Sequence, residues 1–181
     1  MMKMRKISFI FLLMICVLLV GCNKKNVDVV NTSNSKSKYS DNPSSNINVN
    51  GSGELKCTRD ATVVDDLKGT FVIDITYKDG NITNLHTFEK VEGDKPDSLT
   101  KFEDAYNKIA DKYKDIEYYD TTVTRKDNYV IFDVNVNYEK VDINKIIEIE
   151  GDDAKMFKDG KAKLKPWLAY AKRFGTTCEG V

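Results

Sequence analysis

Histidine occurs once in this chain, tryptophan once and proline three times, and 28 basic side chains are cancelled by 28 acidic ones. A single imidazole, His86, leaves no multi-histidine metal centre to assemble, and neither Cys-x-x-Cys nor His-Glu-x-x-His occurs. Phosphate loops and dinucleotide fingerprints are also missing. A Ser/His/Asp triad would have to use His86 as its base, yet no Gly-x-Ser-x-Gly elbow accompanies it. His86 therefore reads as a histidine on the polar face of a strand. No basic stripe is present, which disfavours nucleic-acid binding. Long apolar runs are missing too, with one exception at the start.

That exception carries an address. Lys3, Arg5 and Lys6 precede a run from Ile7 to Val20 with no charge and only Ser8 as a conventional polar side chain. This is the charged region and apolar region of an export signal. The run ends in Leu19-Val20-Gly21-Cys22, which resembles the lipobox of bacterial lipoproteins. The resemblance implies that residues 1–21 are removed and that Cys22 carries lipid. An uncleaved membrane anchor is the competing reading, but spanning helices need about 20 predominantly apolar residues. Either way, the positive flank stays inside and the rest of the chain faces outside the cytoplasm.

Residues 22–53 are dominated by Asn, Ser and Lys. They hold too little apolar surface to offset ordering entropy and are expected to form a disordered tether. Asn31-Thr32-Ser33 and Asn81-Ile82-Thr83 match the glycosylation pattern, but a bacterial export signal makes both coincidental. Setting aside the seven bases and two acids before Glu54, residues 54–181 carry a net charge of about −5, so the exported domain is acidic. Cys16 leaves with the signal and Cys22 takes lipid, which leaves Cys57 and Cys178. An even pair in an exported domain reads as a structural disulfide ahead of a reactive thiol or a metal pair. It would close a loop of about 120 residues.

The remaining residues, 54–181, make one ordinary domain. Leu55–Arg59 reads as a first strand. Phe71, Ile73, Ile75 and Tyr77 alternate with polar positions, Asp79-Gly80 is a tight-turn pair, and Ile82–Val91 returns as the partner strand. Leu99, Phe102, Tyr106, Ile109, Ala110 and Tyr113 recur at three and four residues, predicting an amphipathic helix that begins near Asp97–Thr100. Thr100 and Glu103 have the spacing of a capping box. A second hairpin is expected around Lys126-Asp127-Asn128, with Val130, Phe132, Val134, Val136 and Tyr138 inward. Asp142–Ile147 reads as a turn or short helix, and a terminal helix begins at Leu164, with Pro166 near its start and Gly175 past its end. The order predicts an α+β fold: an antiparallel sheet of about 4–6 strands, the long helix on one face, and a C-terminal helix.

The Cys57 strand, the Tyr77-Lys78-Asp79-Gly80 turn followed by Ile82, the long helix, and Tyr138-x-x-Val141-Asp142-Ile143 before a terminal cysteine resemble the YehR-like (DUF1307-type) small lipoproteins. That resemblance implies a compact α+β domain behind a lipobox and lends no activity. Glu148, Glu150, Asp152 and Asp153 form the densest acidic cluster and read as solvated surface charge, because calcium-loop spacing is missing. Of Tyr118, Tyr119, Tyr129, Tyr138, Trp167 and Tyr170, most are expected to pack under the terminal helix, whereas an exposed cluster would mark a binding surface. No cofactor and no metal are expected. The sequence thus points to a lipid-anchored binding module for a protein, wall component or small ligand, with an envelope hydrolase using paired carboxylates as the runner-up. A solute-capturing importer subunit is disfavoured, because one domain lacks two closing lobes.

Overall fold

The computed structural model describes residues 47–181, without the side chains at 152 and 153. The expected signal, Cys22 and the tether as far as residue 46 lie outside the described residues. The strands are β1 (Gly53–Thr62), β2 (Lys68–Lys78), β3 (Asn81–Glu92), β4 (Tyr119–Lys126), β5 (Tyr129–Asn137), the short β6 (Phe157–Lys158) and β7 (Lys161–Ala162), and β8 (Thr177–Gly180). The helices are α1 (Pro96–Tyr113), α2 (Ile143–Glu150) and α3 (Leu164–Arg173). Six strands form one antiparallel sheet in the order β4-β5-β3-β2-β1-β8, and β6 and β7 make a separate small ribbon. The fold is the α+β class expected from the order of elements.

Period-two alternation decides the faces. Leu55 and Cys57 of β1, Phe71, Ile73, Ile75 and Tyr77 of β2, and Val130, Phe132, Val134 and Val136 of β5 are all buried. The strand register places them on one common face. Helix α1 lays Leu99, Phe102, Tyr106, Ile109 and Tyr113 on the β3-β5-β4 part of that face. At roughly 1.5–3 kcal/mol per large apolar side chain, this stripe is a leading contribution to stability. A second cluster, under Met156, Ala162, Leu164 and α3, covers β1 and β2. Tyr138 and Phe157, with ring centroids 5.9 Å apart, touch both clusters.

Asp79 (φ 50°) and Gly80 (φ 72°) alone close the β2–β3 hairpin, in the left-handed region that tight turns demand. Packing begins upstream of Glu54, where the sequence placed the domain boundary. Ile47 joins the second cluster, and Gly80 N–H donates to Gly51 O at 2.9 Å, so residues 47–53 brace the hairpin instead of belonging to the tether.

Two local expectations are corrected. Helix α1 begins at Pro96, and no side chain caps it. Thr100 Oγ1 donates back to Pro96 O at 3.0 Å, and Glu103 lies 3.7 Å from Arg125, so neither member of the presumed capping box serves that role. A proline in the first turn starts the helix one residue before the expected Asp97–Thr100 range, so the start stands and only the cap is corrected. Glu150 is not solvated surface charge: it is buried at the end of α2 and accepts a hydrogen bond from the Tyr113 hydroxyl. The short helix expected after Asp142 does form, with the Asp142 carboxylate accepting from Asn144 N–H at 3.1 Å.

Candidate functional site

All the described helices pack on one face of the sheet, so the other face is open. Its rows follow from the register. One row runs Lys56, Asp74, His86, Asn135, Asp120 across β1, β2, β3, β5 and β4, and the row beside it runs Glu54, Thr76, Asn84, Asn137. These side chains alternate with the buried ones, and that alternation is why polar residues gather on one surface. Over them lies a cavity of about 500 Å³ lined by Glu54, Asp74, Thr76, Asn84, His86, Tyr118, Asp120, Asn135 and Asn137, with Val181 at its edge.

His86 is the centre of the surface network. Its Nε2 is 3.0 Å from Asp133 Oδ2, and its Nδ1 is 3.5 Å from Asp74 Oδ2. Asn135 Nδ2 donates to the other Asp133 oxygen at 3.0 Å and orients that carboxylate. Lys56 lies 4.0 Å from Asp74. Both imidazole nitrogens face carboxylates, so no nitrogen is presented to an incoming substrate proton, as a general base requires. No serine lines the cavity. Among the described residues, no cluster of three or more His, Cys, Asp or Glu side chains could hold a metal.

What the cavity offers is carboxylate acceptors together with amides that both donate and accept. Glu54, Asp74 and Asp120 supply carboxylates, Asn84, Asn135 and Asn137 supply amides, and neither lysine nor arginine lines it. Tyr118 stands at the rim. It is 41% exposed and holds φ at 65°, a conformation a bulky residue rarely adopts. Asn137 N–H to Tyr118 O at 3.0 Å holds this backbone in place. The Glu117 carboxylate raises the pKa of the Tyr118 hydroxyl, which keeps it neutral.

The other aromatics are placed differently from expectation. Tyr119 stacks on Tyr113 at 4.4 Å beneath α1, not under the terminal helix. Of the six, Trp167 and Tyr170 belong to the terminal helix itself, Tyr129 lies on the open face with Lys90 Nζ 5.0 Å from its ring, and Tyr138 bridges the two clusters. Burial pushes the hydroxyls of Tyr113, Tyr119 and Tyr138 up, so these rings are structural. Cys57 and Cys178 stand directly opposite each other on β1 and β8 and are joined by a disulfide of 2.08 Å.

A carboxyl displaced far from its ordinary range lies on the covered face. Glu89 is fully buried, accepts from Tyr106 OH at 3.2 Å, and has no hydrogen-bond partner for Oε1 among the described residues. Burial pushes its pKa up to about 8, against the lowering effects of Tyr106 and Arg59. The strand register turns Glu89 inward, and nothing in the local sequence pattern distinguished it from an exposed strand carboxylate.

Architecture and site together define a class: small α+β domains with one helix-covered and one open sheet face. Within that class, the fold is that of YehR from Escherichia coli, whose solution structure superposes with a TM-score of 0.50 at 21% identity, over 71% of this chain and 92% of that one. A protein from Streptococcus pneumoniae TIGR4 also aligns, with a TM-score of 0.45 at 14% identity over 86% of this chain and 97% of that one. No family model and no curated protein matches the sequence. No described helix is long and apolar enough to cross a membrane.

Proposed function

We propose that this chain is an extracytoplasmic lipoprotein of the YehR-like (DUF1307-type) kind, anchored by lipid on Cys22, whose folded domain binds a polar ligand on its open sheet face. The observation that carries the ligand reading is the acceptor-rich cavity around Asp74, His86, Asp120 and Asn135, bordered by an exposed, conformationally strained Tyr118. Carboxylates and amides, with no lysine or arginine on the cavity wall and Lys56 standing 4.0 Å from Asp74 alone, favour ligands rich in hydrogen-bond donors, such as hydroxylated or ammonium-bearing molecules. An aromatic ring at the rim adds a flat apolar contact of the kind sugars use. The anchoring reading rests on Lys3, Arg5, Lys6, the apolar run and the Val20-Gly21-Cys22 ending. Two acyl chains on one cysteine suffice for stable attachment, whereas a single chain is marginal.

The hydrolase reading loses ground on one point. Asp74 and Asp133 converge on His86 instead of on a gap that a scissile bond could occupy.

Both parts of the proposal are testable in the full-length protein. Labelled palmitate should enter the wild-type chain and not Cys22→Ala; labelling that survives the substitution overturns the anchor. Titration with glucosamine and glucose should shift the amide resonances of Asn84, His86, Asp120 and Asn135, with the amine-bearing sugar binding more tightly. Asp120→Asn should reduce that preference. Shifts confined to other surfaces, or none at all, overturn the ligand site.

A further inference from the structure

The sheet ends in two edges of unlike construction. At one, β8 has four residues and pairs with Leu55–Thr58 of β1, and Arg59 beyond it reaches across to Phe174 O at 3.3 Å. At the other, β4 runs for eight residues without proline, glycine or bulge, and among the described residues it pairs with β5 alone. An edge of this length that is neither interrupted nor covered is a template for another strand.

The direction of its free backbone groups follows from the ladder. Asn137 N–H donates to Tyr118 O, and Tyr138 N–H donates to Thr83 O. Odd-numbered residues of β5 therefore bond toward β4, and even-numbered ones toward β3. By the alternation of antiparallel pairing, the even-numbered residues of β4 bond to β5. The N–H and C=O groups of Thr121, Val123 and Arg125 consequently point outward, away from the sheet, whereas Tyr119 N–H turns back to donate to Ile116 O at 3.2 Å. Charge along the strand is also ordered: Asp120 lies near its start, and Arg125 and Lys126 at its end, within a domain that is otherwise acidic.

We propose that β4 pairs antiparallel with β4 of a second copy of this chain, with the two-fold axis at Val123. In that register Val123 faces its symmetry mate and Thr121 faces Arg125 of the partner subunit, so the outward N–H and C=O groups meet one another. On the open face, Asp120 stands opposite Lys126 of the partner subunit and Thr122 opposite Thr124 of the partner subunit, each pair occurring twice by symmetry. Shifting the register by two residues in either direction brings Asp120 or Lys126 opposite a threonine and removes both ion pairs. The open faces of the two copies become continuous. Asp120 lines the ligand cavity, so Lys126 of the partner subunit adds a cation to the cavity's rim.

Sedimentation of the full-length chain in non-ionic detergent, over a range of concentrations, tests the pairing. The wild type should dimerise. Asp120→Lys and Lys126→Asp should each weaken the dimer by about tenfold, since either makes two like-charge pairs, and the double swap should restore it. Hydrogen exchange gives a readout within the same strand: the amides of Thr121, Val123 and Arg125 should gain protection as concentration rises. The amides of Asp120, Thr122 and Thr124 should remain protected throughout, which also verifies that the variants fold. A chain that stays monomeric to about 1 mM, or a dimer whose Val123 amide exchanges freely, overturns the proposal, and so does a dimer indifferent to both single reversals.

Discussion

Two side chains on opposite faces of β3 set the chemistry of this domain. Glu89, sealed beneath α1 with a pKa near 8, makes stability depend on pH in an unusual direction for a carboxyl. Its folded pKa lies above the ordinary value of 4.5. The stability associated with the protonated form is therefore complete below about pH 4.5 and is lost as pH rises through about 8. Denaturant titrations should find the domain less stable at pH 8 than at pH 5, by an amount on the order of a few kcal/mol. Glu89→Gln should flatten that profile, because the amide cannot ionise; a profile unchanged by the substitution would place the pH dependence elsewhere. His86, three residues earlier on the exposed face, is held between Asp74 and Asp133. His86→Ala should leave the two carboxylates facing each other without the imidazole. Ligand shifts at Asn135 should shrink, while melting changes little, since exposed ion pairs contribute about 0–1 kcal/mol.

At the level of elements, what was legible depended on how many positions repeated the signal. The α1 stripe repeats five times at helical spacing, and all five of its large side chains are buried, so Phe102→Ala should cost about 3–5 kcal/mol in urea denaturation. The β2–β3 turn was legible from two residues, because Asp79 and Gly80 can hold the positive φ that the hairpin needs. Gly80→Ala adds a Cβ 2.9 Å from Val49 O as well as strain at φ 72°, and should lower stability by at least about 1 kcal/mol, read as a lower melting temperature. Single-position signals failed where tertiary contacts competed. Glu103 matched a capping spacing, but Arg125 on β4 stands beside it, and Ser98 of the helix's first turn donates to Asp65 instead of leaving that turn open to a local cap.

For the molecule as a whole, the disulfide joins strands separated by 121 residues and ties the C-terminal strand to the first. Loop closure on that scale corresponds to about 4–5 kcal/mol in the chain-entropy model, so Cys178→Ser should lower the denaturation midpoint by that order and release β8 to fast hydrogen exchange while the β2–β3 amides stay protected. The candidate site was less legible than the fold. Asn84 and His86 were visible as the polar alternation of one strand, but Asp74, Asp120, Asp133 and Asn135 lie on three other strands, and only the pairing register carries them to the same surface. Sequence alone determined the amphipathic helix, the tight hairpin and which side of each strand turns inward, because these depend on neighbours within a few positions along the chain. The tertiary structure decided the order of the strands, the burial of Glu89 and Glu150, the uncovered face and the free edge at β4, because each depends on which distant segments come to lie side by side.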